Sequence, residues 1–149
     1  MKLSDHFSLI EFTRSDTAVR RGIDNTPCDE HLANLAKLAR KLEEVRALVG
    51  HPVVITSGYR SPALNAAVDG SATSSHCHGL AADFHVPGFG PDQAVAQAIA
   101  DSALDFDQLI FEQTARSTWV HLGIDARMRR EVLSWKSGRG YRRGVVRLK

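Results

Sequence analysis

Apolar residues recur at helical spacing in one long stretch of this chain and at strand-like spacing in several short ones. Leu32, Leu35, Leu38, Leu42, Val45 and Val49 step by three or four positions, which sets them on one stripe of an α-helix and marks that stripe as core. Thr26 is placed to cap this helix, Pro27 to take its first position, and Asp29 and Glu30 to lie in its first turn. Gly50 predicts its end. Ser8 with Glu11 three residues on is a capping box for a shorter helix. Residues 53–56 are a β-branched run and predict a strand. Ser61-Pro62 then opens a short helix to about Val68, and Asp69-Gly70-Ser71 is a turn. Asp83 opens a second short strand over 84–86. Residues 87–91 read as a loop, the alanine-rich 92–104 as a helix, and 108–111 with 119–122 as a hairpin. This mixture predicts an α+β fold, a small antiparallel sheet packed with helices. No repeat, low-complexity segment or linker divides the chain, so 1–149 is expected to be one domain.

Composition alters this picture little. Apolar residues make up 43% and charged ones 24%, as in ordinary globular domains. No run approaches the roughly 18 apolar residues of a membrane span. The first residues form no apolar signal region, so synthesis in the cytoplasm without a signal peptide is expected, with Cys28 and Cys77 both reduced. A monomer is expected. The charge distribution says more. Residues 127–149 hold nine Lys or Arg and one acid, Glu131, a net of +8; the other 126 residues hold ten bases and sixteen acids, a net of −6. Two readings stay open for this basic C-terminal extension. It attracts a polyanion such as an anionic cell-wall polymer, or it is a solvated tail that pairs with the acidic body. No nucleic-acid-binding motif accompanies it.

The densest chemistry lies in Ser74-Ser75-His76-Cys77-His78-Gly79-Leu80-Ala81-Ala82-Asp83, an S-x-H-x-x-G-x-A-x-D phrase, and in Trp119-Val120-His121, whose histidine follows Asp83 by 38 positions. His76, Asp83 and His121 make a three-ligand set suited to one Zn2+ per chain. Three protein ligands leave a fourth position for water, the catalytic rather than the structural arrangement. Gly79 permits a turn or close approach that a Cβ would block, and Ala81 and Ala82 let the chain pack tightly behind the metal. Cys77 is adjacent to His76 and points elsewhere in an extended loop. His85 shares a strand face with Asp83 and is a candidate to orient that carboxylate. His78 falls to a pocket lining or to solvent.

These motifs resemble the zinc D-Ala-D-Ala carboxypeptidase family, which shares its fold with Hedgehog domains. The likeness also draws on Val54-Ile55-Thr56-Ser57-Gly58-Tyr59-Arg60-Ser61-Pro62 and on residues 106–112, and covers roughly residues 3–125. It implies a Hedgehog/DD-peptidase-like fold and a zinc metallopeptidase that hydrolyses peptidoglycan stem peptides or crosslinks. Arg60 falls where the family keeps a substrate-binding arginine, whose fork fits a carboxylate or a developing oxyanion. Ser74 braces the loop or contacts substrate, Tyr59 and Asn65 hold the local turn, and Trp119 walls the pocket or simply packs. One departure stands out. Well-known members carry an acid three residues before the last histidine, and here that residue is Thr118. The nearest upstream acid, Glu112, becomes the candidate general base. If Glu112 pairs with Trp119 it shares a face with His121; paired with Thr118 or Val120 it points away. A non-catalytic zinc-containing binding module of the same fold is the alternative. Without an export signal, a phage-lysin-like protein released by other means fits.

Overall fold

The computed structural model describes residues 1–145, which hold five α-helices and six strands. Helix α1 (Leu9–Thr13) begins at the capping box: the Ser8 amide donates to the Glu11 carboxylate at 2.6 Å. Helix α2 (Asp16–Arg21) was not foreseen, although Ser15 caps it by accepting from the Ala18 amide and Gly22 ends it in the left-handed conformation. Helix α3 (Asp29–Val49) carries the long apolar stripe and stops at Gly50, also left-handed. It starts two residues later than Thr26-Pro27 predicts. Asp24 takes the Thr26 amide in a local turn, and Cys28 is the residue whose carbonyl accepts the first helical bond, from Leu32. Along the stripe Leu32 is half-buried and the other five side chains are buried. Helix α4 (Pro62–Ala67) is capped by Ser61 as expected. Helix α5 (Asp92–Ala100) ends at Asp101, short of residue 104. Among the described residues no helix is long and apolar enough to cross a membrane.

The strands are β1 (Val54–Ser57), β2 (Ala81–His85), β3 (Gln108–Gln113), β4 (Thr118–Gly123), β5 (Glu131–Lys136) and β6 (Gly140–Arg143), in the spatial order β1-β2-β4-β3-β5-β6. The expected hairpin is β3–β4. Asp83 lies in the middle of β2 rather than at its start. Every pairing is antiparallel except β3–β5, so the sheet is mixed. The reason is local. β4 ends beside the start of β3, where Gly123 faces Gln108, and β5 begins beside that same start, where Glu131 faces Gln108. A loop over residues 124–130 therefore joins them at one end of the sheet without a long crossover.

That loop is pinned by arginines. Asp107, 2% exposed, accepts from the Arg129 amide and from two guanidinium nitrogens of Arg129. Arg130 lies 4.8 Å over the Phe106 ring and donates to the carbonyls at the end of α5 and beyond, of Ala100, Ser102 and Leu104. Much of the segment read as a basic extension is thus two strands of the sheet and the loop that anchors them. Of the apolar side chains there, Val132 and Val145 pack against the core and Trp135 is half-buried. Val146 lies outside the described residues.

The period of two along the strands sorts the sheet into two faces. Ala82, Phe84, Leu109, Phe111, Val120 and Leu122 point into one core with Leu35, Leu38, Leu42 and Val45 of α3 and Val95 and Ile99 of α5. The residues between them, Asp83, His121, Ile110, Glu112 and Trp119, lie on the opposite face. Burying one face under helices is what presents the other as the floor of a cleft.

Candidate active site

Asp83 and His121 are directly paired on neighbouring strands, so their side chains emerge side by side. His76 reaches them from a 3-10 turn, Ser75–His78, that precedes β2. Ser74 caps that turn by accepting from the His76 amide, and Gly79 closes it at φ 71°. A Cβ on Gly79 would stand 2.8 Å from the His31 carbonyl oxygen, so both the turn and the close approach require glycine. Ala81 and Ala82 behind the site are fully buried.

The three side chains offer ligand atoms that lie within 4.8 Å of one another. Asp83 Oδ1 is 3.3 Å from His76 Nε2 and 3.0 Å from His121 Nδ1. His76 Nδ1 sits 2.7 Å from the Gly58 carbonyl, which can only accept, so that nitrogen carries the proton. Neutral His76 then aims the lone pair of Nε2 at a carboxylate oxygen. Two acceptors facing each other in a buried site require a positive species between them, and this donor set of two imidazoles and one carboxylate suits zinc.

The electrostatics agree. Burial drives His76 below the ordinary histidine range, against the opposing pull of Asp83. Burial also favours protonation of Asp83, but its surroundings, with the hydrogen bond and charge of His121 among them, outweigh it and hold the carboxyl well below the usual carboxylate range. For His121 burial again acts downward, and its hydrogen bond to Asp83 with the charges of Asp83 and Glu112 raises it overall. A proton on His121 and a divalent cation answer the same negative charge, so a metal bound there would displace the proton.

Arg60 lies beyond Asp83. Its Nε donates to Ser57 Oγ at 3.2 Å, Nη1 to Asn65 Oδ1 at 3.3 Å, and Nη2 to Asp83 Oδ2 at 3.4 Å. Among the described residues three of its five N–H groups are thereby used, and one on each terminal nitrogen is left. Asn65 is itself fixed, donating to the Ser71 carbonyl. His85, the residue read as a partner for Asp83, instead turns its Nδ1 to Asp92 Oδ1 at 2.8 Å. Arg60 takes the orienting role, on Asp83's second oxygen.

Glu112 pairs with Trp119, the register that puts it on the face of His121. Trp119 Nε1 donates to its carboxylate at 2.5 Å. Burial first, then the charge of Asp83, raises Glu112 above the usual carboxylate range. Thr118 stands on the other face, its hydroxyl donating to Asp92 Oδ2 at 2.6 Å. A half-buried acid of the cleft thus comes from β3.

A cleft of about 560 Å³ gathers His76, Asp83, His121, Arg60, Ser74, Glu112 and Trp119. It also takes in residues that the sequence did not single out as site residues: Asp69 and Gln108 on one hand, Arg127, Arg129, Trp135 and Tyr141 on the other. The last four lie in the loop before β5 and in the β5–β6 hairpin. Their signal was an aromatic pair among bases, which reads equally as a surface tail. Against known proteins, the family model for Peptidase M15 matches residues 5–123. No curated protein matches the chain.

Proposed function

The chain belongs to the peptidase M15 family, and from that premise we propose that it is a zinc-dependent hydrolase of peptide bonds in peptidoglycan stems or crosslinks. The observation that carries the reading is the convergence of His76, Asp83 and His121 on the floor of a cleft that also holds a half-buried carboxylate, Glu112. His76, Asp83 and His121 would hold the metal, one per chain. When bound, zinc supplies Lewis acidity, polarising a carbonyl and making water acidic near neutral pH.

The remaining chemistry belongs to the chain. Glu112 accepts the proton of the attacking water as its oxygen bonds to the carbonyl carbon. It then delivers that proton to the amide nitrogen as the C–N bond breaks. Its raised affinity for protons suits both halves of this task, because a group that is too acidic would not take the proton up. Trp119 fixes the carboxylate through its indole N–H. Arg60 orients Asp83 and turns its two remaining N–H groups to a substrate oxygen, where negative charge develops.

The non-catalytic module is the second reading, favoured by Thr118 at the position of the family's acid. Purified cell walls separate the two. Zinc-replete protein should release new amino groups, a chelator should stop the release, and zinc should restore it. Glu112→Gln should keep normal zinc content and lose about 10²–10⁴-fold in rate. Normal zinc binding with no release from several wall types would favour the binding module.

A further inference from the structure

We propose that the β5–β6 hairpin is a subsite for the leaving-group side of the substrate, built for a peptide that continues several residues past the cleaved bond. The proposal rests on the peptidase reading above. Its residues lie beyond the matched segment, which ends at residue 123.

Strand register carries the argument. Glu112 on β3 faces Trp119 on β4 and, across its other edge, Trp135 on β5; Trp135 in turn faces Tyr141 on β6. Directly paired residues share a face. Trp119, Glu112, Trp135 and Tyr141 therefore form one row across four strands, on the face that bears Asp83 and His121. The row leads from the candidate metal ligands, over the candidate base, to the hairpin, and Trp135 and Tyr141 line the same cleft.

Both side chains are available. Tyr141 is 60% exposed, and Trp135 is half-buried. Neither the phenol nor the indole N–H makes a hydrogen bond among the described residues. Tyrosine and tryptophan in such a place offer large contact area, a polar tip and little rotamer entropy to lose.

Distance decides what they contact. From β4, which carries His121, to β6 is three steps across the sheet. At roughly 4.8 Å per step that is about 14 Å. An extended peptide advances about 3.3 Å per residue, so about four residues are needed to reach Tyr141. A single released amino acid would not pass β3. Glu112, which delivers the proton to the leaving nitrogen, stands on this side of the ligands, whereas Arg60 contacts Asp83 from the other. The chain that leaves therefore runs over β5 and β6, and the geometry fits an endopeptidase.

Digestion of cell walls by the zinc-loaded full chain, followed by mass spectrometry of the fragments, identifies the cleaved bond. Two synthetic peptides then carry that bond, one ending a single residue beyond it and one continuing for four. The longer should have the higher kcat/KM. Tyr141→Ala and Trp135→Ala should lower the long-to-short ratio by roughly two- to tenfold each, mainly through KM, the range set by aromatic contacts. Trp135→Phe should recover most of the ratio. A wild-type preference for the short peptide, or equal losses on both peptides, overturns the subsite and leaves the peptidase reading standing. Failure to digest any wall overturns the peptidase reading, and this subsite falls with it.

Discussion

At the scale of single residues, the site depends on a glycine that has no side chain in the cleft. The Gly58 carbonyl holds His76 Nδ1 and so fixes which nitrogen faces Asp83. A Cβ at Gly58 would lie 2.6 Å from the Phe12 carbonyl oxygen and 2.7 Å from its Cα, both backbone atoms that cannot swing aside. The chain there is also tied to α1 through the Tyr59 amide, which donates to the same Phe12 carbonyl at 2.7 Å. Gly58→Ala should therefore push the loop off α1 and rotate His76. Loss of such an outer contact typically weakens metal binding about 10–100-fold. Competition with a chromophoric chelator measures this, and a variant with unchanged zinc affinity would show that the carbonyl is not what orients the ring. The convergence of His76, Asp83 and His121 was legible in the sequence because their residue types and spacing are chemically narrow. The Gly58 carbonyl was not, because a backbone group has no residue code and its partner is 18 positions away.

At the scale of elements, strands whose alternation was clean were read well, and the register of β3 on β4 settled the face of Glu112. What the sequence left open was anything decided by a neighbour. The β5–β6 hairpin looked like a tail because residues 127–149 carry nine bases against one acid, yet β5 binds to the edge of β3 along its whole length. The clasp that holds it there is Asp107 with Arg129. The hydrogen bonds from the Arg129 side chain lead the effects that bring Asp107 below its ordinary value, and burial opposes them only in part. A carboxyl more acidic in the folded state than in the unfolded one adds stability above its unfolded pKa, near 3.9. That stability is lost as pH falls through the folded value. Arg129→Ala should thus lower stability at neutral pH and flatten the loss between about pH 5 and pH 2, with wild type and variant converging at the acid end. Urea midpoints across that range test it; a constant difference between the two curves would place the arginine's contribution elsewhere.

At the scale of the whole molecule, the structure redistributes the charge asymmetry. The segment from residue 127 is basic, but Arg127, Arg129 and Arg130 are engaged with Asp125, Asp107 and backbone carbonyls of the body. Those three serve the fold, which is the intramolecular pairing that the second reading of the extension expected. Arg142 and Arg143 differ. They lie on β6, the outermost strand, and are exposed without an acidic partner among the described residues. Basic side chains on an edge strand also discourage a second sheet from pairing there, so two physical roles compete for them. Salt separates the roles. Attraction to an anionic wall polymer weakens as the Debye length falls from about 10 Å at 0.1 M to about 3 Å at 1 M, whereas edge protection concerns self-association. Replacing both arginines by glutamine leaves the fold's clasp intact. The double variant should be retained less by intact walls than the wild type at low salt, and the two should behave alike near 1 M. Equal retention at every salt concentration, together with concentration-dependent aggregation of the variant, would assign these arginines to guarding the edge.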